Sequence, residues 1–317
     1  MKLGLWRWKY LYQSVKKEGP LEGYNIAWEK HSGMLAMEAA ARAGLPALTV
    51  QNGPAPEASI HFLTGASHFY MTVFCAYSLC RVTPHPLDIV VHDDGTLSEE
   101  VRGWIRASLP TARFLDPAPT RAATEAFLPK DRFPSLWKAR ERLVLMRKLM
   151  DVHAPAPGWK LFLDSDMLFF SPPHVLLDWM RSPAQPCCMT DVTVAYGYPE
   201  PRLAALAGAP MPEFVNTGIC GLERGRIDWE KLEFWSGRLM EEFGINHFLE
   251  QGMTAMLLAT LPFQFMPRRD YICCPLREQV TPRPDGVMHH YVSDSRTHYY
   301  RHGWRHILAP ASQAVRP

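Results

Sequence analysis

The sequence predicts an α/β fold with a mainly parallel central sheet, and three observations carry that prediction. Short β-like runs alternate with helical stretches, the pattern of βαβ units. Two of those runs read as buried strands: 87–92 (LDIVVH), and 159–170 (WKLFLDSDMLFF), which is apolar on both sides of its acids, as a strand covered by helices on two faces requires. The composition, 47% hydrophobic and 21% charged over 317 residues, supplies a sizeable core.

Taken in order, residues 1–57 read as a helical extension and linker. An alanine-rich helix (Met34 to Ala43) stops at Gly44-Leu45-Pro46, and the turn-rich Asn52-Gly53-Pro54-Ala55-Pro56 follows. The globular unit is expected over 58–317. Ser59–Thr64 is a short strand and Phe69–Arg81 an apolar helix. The strand at 87–92 closes on Asp93-Asp94-Gly95, and Ser98 caps a helix with Glu99 and Glu100 in its first turn. Ala112–Leu115 is a further strand, and a proline-rich segment leads to one basic helix over Leu136–Met150. The run at 159–170 is expected as a single central strand. Strands at Cys187–Val192 and Phe214–Leu222, helices at Trp229–Glu242 and His247–Leu261, and a tail rich in histidine and aromatics complete the chain.

Composition excludes several classes. A net charge of +2 gives no global field for nucleic acid, so an anionic ligand must be held by local cations. Seven cysteines, mostly in apolar runs and without a Cys-x-x-Cys pair, read as reduced, space-filling thiols of a cytoplasmic protein. Cys273-Cys274 stays open as a pair, because adjacent cysteines rarely bridge each other and make a poor zinc site alone. No stretch reaches the ~18–20 apolar residues of a bilayer span. The N-terminal segment carries no continuous apolar region of the signal-peptide kind. It interleaves Lys2, Arg7, Lys9, Lys16 and Lys17 with Trp6, Trp8, Tyr10 and Tyr12. Such a segment suits either a helix packed on the domain or contact with an anionic membrane surface.

Asp164 and Asp166 are the sharpest chemical feature. Residues i and i+2 of a strand point to one side, so both carboxylates can converge on one object. Two acids at the end of an apolar strand are costly unless paired or bound to a cation, and Mg²⁺ or Mn²⁺ is the natural partner. The rival reading has Asp164 capping the next segment and Asp166 solvated.

The run LFLDSDMLFF resembles the strand and Asp-x-Asp signature of GT-A glycosyltransferases, most of all the family-8 group of galactosyltransferase and glycogenin-like enzymes. Downstream segments agree in order. Asp191 stands where the group has a polar residue at the sugar site. Phe214-Val215-Asn216-Thr217-Gly218 resembles the strand whose Asn contacts the donor sugar, and Glu250-Gln251 resembles its Asp-Gln motif. Val287-Met288-His289-His290-Tyr291 resembles the last strand, whose His binds metal, and Arg142 stands in a segment like the helix whose Arg contacts the nucleotide-sugar.

The resemblance covers about residues 58–308 and implies a metal-dependent hexosyltransferase, using Mn²⁺ or Mg²⁺. The donor it implies is a nucleotide diphosphate-sugar, with UDP-sugar expected, and the acceptor a glycan, a lipid-linked sugar or a protein. It implies retention of anomeric configuration; inversion stays open. Asp164, Asp166 and one of His289 and His290 are the expected metal ligands, with His290 favoured by its neighbour Tyr291. Glu250, Gln251 and Asp191 are the expected catalytic group.

Three departures stand out. Thr64-Gly65-Ala66-Ser67-His68 lacks the acid usual after the first strand, so Thr64, Asp93 or Asp94 is left to meet the base or ribose. The Lys-Pro-Trp that binds diphosphate is absent; Arg296 is the nearest cation after His290, with Arg301 and His302 as alternatives. Glu250 replaces an Asp. Two other classes remain: a haloacid-dehalogenase-like phosphohydrolase using Asp164 and Asp166, and a catalytically silent sugar-binding relative.

Overall fold

The computed structural model describes residues 19–49 and 53–309, together with Tyr12, Val15 and Lys16. Most of the basic, aromatic N-terminal segment therefore lies outside the described residues.

Seven strands form the main sheet in the order β3-β2-β1-β4-β7-β6-β8. Strands β1 (Ser59–Thr64), β2 (Ile89–Asp93), β3 (Arg113–Leu115) and β4 (Trp159–Leu163) run parallel. Strand β7 (Val215–Glu223) is antiparallel to β4 and to β6 (Cys187–Thr190), and β6 is parallel to the two-residue β8 (Gln264–Phe265). A second, three-stranded sheet has the order β5-β10-β9, from Met167–Phe169, Met288–His290 and Tyr271–Cys273. The predicted fold class, a mainly parallel sheet flanked by helices, is the one observed.

Two elements differ from expectation in ways that shape the site. The single strand expected over 159–170 is two. The chain leaves the main sheet after Leu163, passes through Asp164-Ser165-Asp166, and enters the second sheet at Met167. A run apolar on both sides of its acids carries no mark of a change of sheet. The single helix expected over Leu136–Met150 is also two, Pro134–Arg142 and Met146–His153, breaking at 143–145 although neither Gly nor Pro stands there.

The helices take their order from α1 (Pro20–Ala43), α2 (Phe69–Val82), α3 (Glu99–Ser108) and α4 (Pro117–Phe127). They continue through α5 (Pro134–Arg142), α6 (Met146–His153), α7 (His174–Arg181), α8 (Glu200–Ala207), α9 (Trp229–Phe243) and α10 (Leu249–Ala259). Ser98 caps α3 as its sequence predicts, its Oγ accepting from the Val101 N–H at 3.3 Å. Pro117 opens α4 from within the proline-rich segment, where a missing N–H costs nothing.

The core has two halves. One packs α2 and α3 on β1, β2 and β4, and includes Ile60, Phe62, Phe74 and Leu163. The other gathers α5, α6, α9 and α10 around Trp137, Val215, Trp235 and Met253. The segment expected as an extension contributes Met37, Ala41 and Leu45 to the first half.

Candidate active site

A cavity of about 870 Å³ opens at the carboxyl end of β1 and β4, the edge where open α/β sheets bind ligands. The Asp164–Asp166 turn, α6, the amino end of β7, α10 and the residues following β10 all reach it.

Each aspartate is fixed by its backbone to a different strand. The Asp164 N–H donates to the Gly218 carbonyl of β7 at 2.8 Å, and the Tyr291 N–H, just after β10, donates to the Asp166 carbonyl at 2.8 Å. The turn is thus pinned between the two sheets, and the last strand delivers His290 to it. His290 Nε2 stands 3.1 Å from Asp166 Oδ1 and 3.7 Å from Asp164 Oδ2. One donor atom from each of these three residues lies within 4.8 Å of the others. Two carboxylate oxygens and one imidazole nitrogen form a set that suits Mn²⁺ or Mg²⁺. Gly218 makes the approach possible: a Cβ there would stand 2.4 Å from His290 Cε1 and 2.6 Å from Met167 Cε.

Two cations hold the acids. Arg296 donates from Nη2 at 2.7 Å and Nε at 3.2 Å to Asp166 Oδ2. Lys148 Nζ stands 2.5 Å from Asp164 Oδ1. Burial opposes charge on Asp166, yet His290 and Arg296 hold its carboxyl well below the usual range. Burial also penalises the Lys148 ammonium, but Asp164 and Glu250 outweigh it and keep the amine charged.

Behind the cations lies a second set of polar groups. Glu250, at the start of α10, is buried and accepts from Thr217 Oγ1 at 2.9 Å and Thr254 Oγ1 at 3.2 Å. Burial pushes its carboxyl up, and Lys148 and Thr217 offset that only in part. Asp191 Oδ2 accepts from Asn216 Nδ2 at 2.8 Å, and Asn216 Oδ1 accepts from the Gly218 N–H at 2.9 Å. Gln251 Nε2 donates to the Ala195 carbonyl at 3.0 Å, tying α10 to the loop after β6.

Of the residues singled out in the sequence, Asp164, Asp166, His290, Arg296, Asp191, Asn216, Glu250, Gln251, Thr64 and Asp94 all line this cavity. Three do not reach it. Arg142 ends α5 on the outside, in a separate shallow depression, because the helix breaks immediately after it. Asp93 is consumed by its own turn: Oδ1 accepts from the Gly95, Thr96 and Leu97 N–H groups, and Oδ2 pairs with Arg102 at 2.9 Å. His289 points to the opposite face from His290, where its nitrogens meet the Tyr291 hydroxyl and the Asp285 carbonyl. Burial lowers the pKa of His289 to about 4.

Lys148 is the site residue that sequence reasoning missed. Its signal was present: a lysine among Met146, Leu149, Met150 and Val152 is too apolar in setting to be solvated, and so needs a buried acid. Arg140, in the same basic stretch, is also buried. It makes a two-pronged pair with Asp151 at 2.6 and 2.7 Å, which joins α5 to α6.

No protein-family model matches the chain, and no curated protein matches it. Several solved structures are similar to it. Mouse xyloside xylosyltransferase 1 is 12% identical, with 74% of this chain and 97% of that one covered at a TM-score of 0.49. An active-site mutant of LgtC is 16% identical, covering 74% and 87% at 0.49. The glycosyltransferase GlyE of Streptococcus pneumoniae TIGR4 is 14% identical, covering 80% and 62% at 0.45.

Proposed function

We propose that this chain is a divalent-metal-dependent glycosyltransferase that moves a sugar from a nucleoside diphosphate-sugar to a glycan or other acceptor. The observation that supports it is the Asp164–Asp166–His290 cluster, flanked by Lys148 and Arg296, on the wall of a cavity with a separate buried acid, Glu250. A site for a monoanion needs no such concentration of cations beside a metal set; a diphosphate does. Mn²⁺ is the expected ion, with Mg²⁺ the alternative. Asp164, Asp166 and His290 would hold it, and it would supply charge neutralisation for the diphosphate and Lewis acidity toward a departing nucleoside diphosphate.

The chain's own residues supply the rest. Lys148 and Arg296 bind diphosphate oxygens through charge-assisted hydrogen bonds. Asn216 and Asp191, already paired, orient the sugar hydroxyls. Glu250, its carboxyl pushed up by burial, stabilises positive charge at the anomeric carbon or takes the acceptor's proton. Gln251 holds the neighbouring loop against the sugar. Thr64 and Asp94 are the groups at hand for the ribose or base, with uracil the expected base.

The test is calorimetric titration of UDP and a panel of nucleotide-sugars with and without Mn²⁺, followed by an assay for slow donor hydrolysis. Metal-dependent binding with release of the nucleoside diphosphate is expected. Phosphatase activity on simple monoesters without nucleotide binding would point instead to the phosphohydrolase class, and binding without any turnover to a silent relative.

A further inference from the structure

Cys273 ends β9 and Cys274 follows it, with Cys273 registered against His290 of the neighbouring strand. Cys273 is buried, with its Sγ 3.7 Å from Asp191 Oδ1 and 3.7 Å from Asn216 Nδ2. Cys274 is half-buried, lines the cavity, and brings its Sγ to 3.8 Å from Cys273 Sγ. Its φ of +53° lies in the left-handed region that a side chain with a Cβ rarely occupies. The two thiols therefore touch each other on the wall that carries the Asp191–Asn216 pair. One is open to a small reagent, and the other is buried behind it as the resolving thiol.

We propose that Cys273 and Cys274 are a modification site: a dithiol that hydrogen peroxide closes to a disulfide, drawing Cys273 away from Asp191 and Asn216 and weakening donor binding. The effect on donor binding rests on the nucleotide-sugar reading above. In the first step the Cys274 thiolate attacks one peroxide oxygen. The S–O bond forms as the O–O bond breaks, leaving a sulfenic acid and a hydroxide that takes up the thiol's proton as water. Cys273 Sγ then attacks the sulfenic sulfur: the S–S bond forms, the S–O bond breaks, and hydroxide leaves with the Cys273 proton as a second water. Asp191 Oδ1, which already accepts the Cys273 S–H, is placed to pass that proton on. Two thiols lose two electrons and one peroxide becomes two waters.

Neighbouring Cα atoms stand about 3.8 Å apart, below the ~4.4–6.8 Å usual for a disulfide, so the closed form is easily reduced again. That suits a reversible switch rather than a structural bridge.

The full chain is treated with peroxide, desalted, and divided for mass spectrometry and for titration, with Mn²⁺, of UDP and of the tightest-binding nucleotide-sugar of the panel above. The peptide spanning residues 270–277 is expected to lose two hydrogens and to recover them with dithiothreitol. Cys274→Ser, compared only with its own untreated sample, loses this response. Affinity for that nucleotide-sugar with Mn²⁺ falls roughly tenfold or more on closing, as loss of a group supporting the sugar-orienting pair does, and returns on reduction. Two thiols still open to iodoacetamide after peroxide, or Cys274 driven to a sulfinic acid without closing, overturns the proposal. Closure with unchanged affinity for the nucleotide-sugar overturns the switch. If the reduced chain binds no UDP with Mn²⁺, the nucleotide-sugar reading fails separately, and the masses alone decide the dithiol.

Discussion

At the scale of single residues, the site is a set of charges that answer one another, and each can be tested alone. Glu250 gives the clearest sign. Its carboxyl is raised by burial, so the folded chain disfavours the ionised form. The stability linked to Glu250 is fully present below the unfolded pKa and is lost as pH rises through the folded one. Glu250→Gln removes that loss while keeping an acceptor for the Thr217 or Thr254 hydroxyl. Thermal melts between about pH 4 and pH 8 are expected to show the variant gaining on the wild type as pH rises. Transferase activity should fall by roughly 10²–10⁴-fold if Glu250 is the general base. A wild type that gains on the variant as pH rises would contradict a carboxyl raised by burial. Lys148→Gln tests the opposite charge. It leaves Asp164 and the buried Glu250 without their cation, so stability should drop by roughly 1.5–3 kcal/mol in denaturant titration, and donor affinity should drop with it. The carboxylates and His290 were legible in the sequence, because acids between apolar residues and a histidine on a late strand stand out. Lys148 carried only the mark of its apolar neighbours; which acid it meets is decided by the fold, which turns α6 toward Asp164.

At the scale of elements, the alternation of strands and helices was readable from period and composition, but two breaks were not. Both concern long apolar or basic runs whose local propensities are continuous and whose interruptions are decided by tertiary pairing. The break after Arg142 decides which cation serves the cavity. It turns α5 away and lets α6 carry Lys148 inward, with the Arg140–Asp151 pair fixing the angle between the two helices. Arg140→Ala is therefore expected to cost about 3–5 kcal/mol, because it strands a buried carboxylate. Arg142→Ala, at an exposed helix end, should stay within about 0.5 kcal/mol and leave donor affinity unchanged. Equal losses of donor affinity in Arg142→Ala and Lys148→Gln would restore Arg142 to the site. The break after Leu163 has a different consequence. It makes β7 and β10 hold the two aspartates jointly, with Gly218 as the contact point. Gly218→Ala is expected to cost about 1–3 kcal/mol by overpacking and to abolish metal-dependent nucleotide binding in a chain that still melts cooperatively.

At the scale of the whole molecule, α1 is the element whose place in the fold its sequence does not explain. Its sequence, read alone, suggested an appendage. Its packing makes it a brace: Met37 and Ala41 enter the core beside α2, and Gly33 meets the backbone of the helical segment at 296–308. A Cβ at position 33 would stand 1.9 Å from the Tyr300 carbonyl oxygen, so helix and segment cannot keep their spacing around any larger residue. That segment begins with Arg296, which clamps Asp166, and Arg301 pairs with Glu29 of α1 nearby. Displacing α1 therefore moves a cation of the active site. Gly33→Ala sets two effects against each other. Helix propensity favours Ala by about 1 kcal/mol in α1, whereas the clash is with backbone and cannot be relieved by turning a side chain. The clash should prevail, lowering the melting temperature and, through Arg296, weakening Mn²⁺-dependent nucleotide binding as well. Arg301→Ala supplies the comparison, since it loosens the same contact at an ion pair with an exposed partner worth no more than about 1 kcal/mol and should leave that binding nearly intact. A Gly33→Ala chain that melts higher than the wild type and binds nucleotide as well would show that α1 is only an appendage after all.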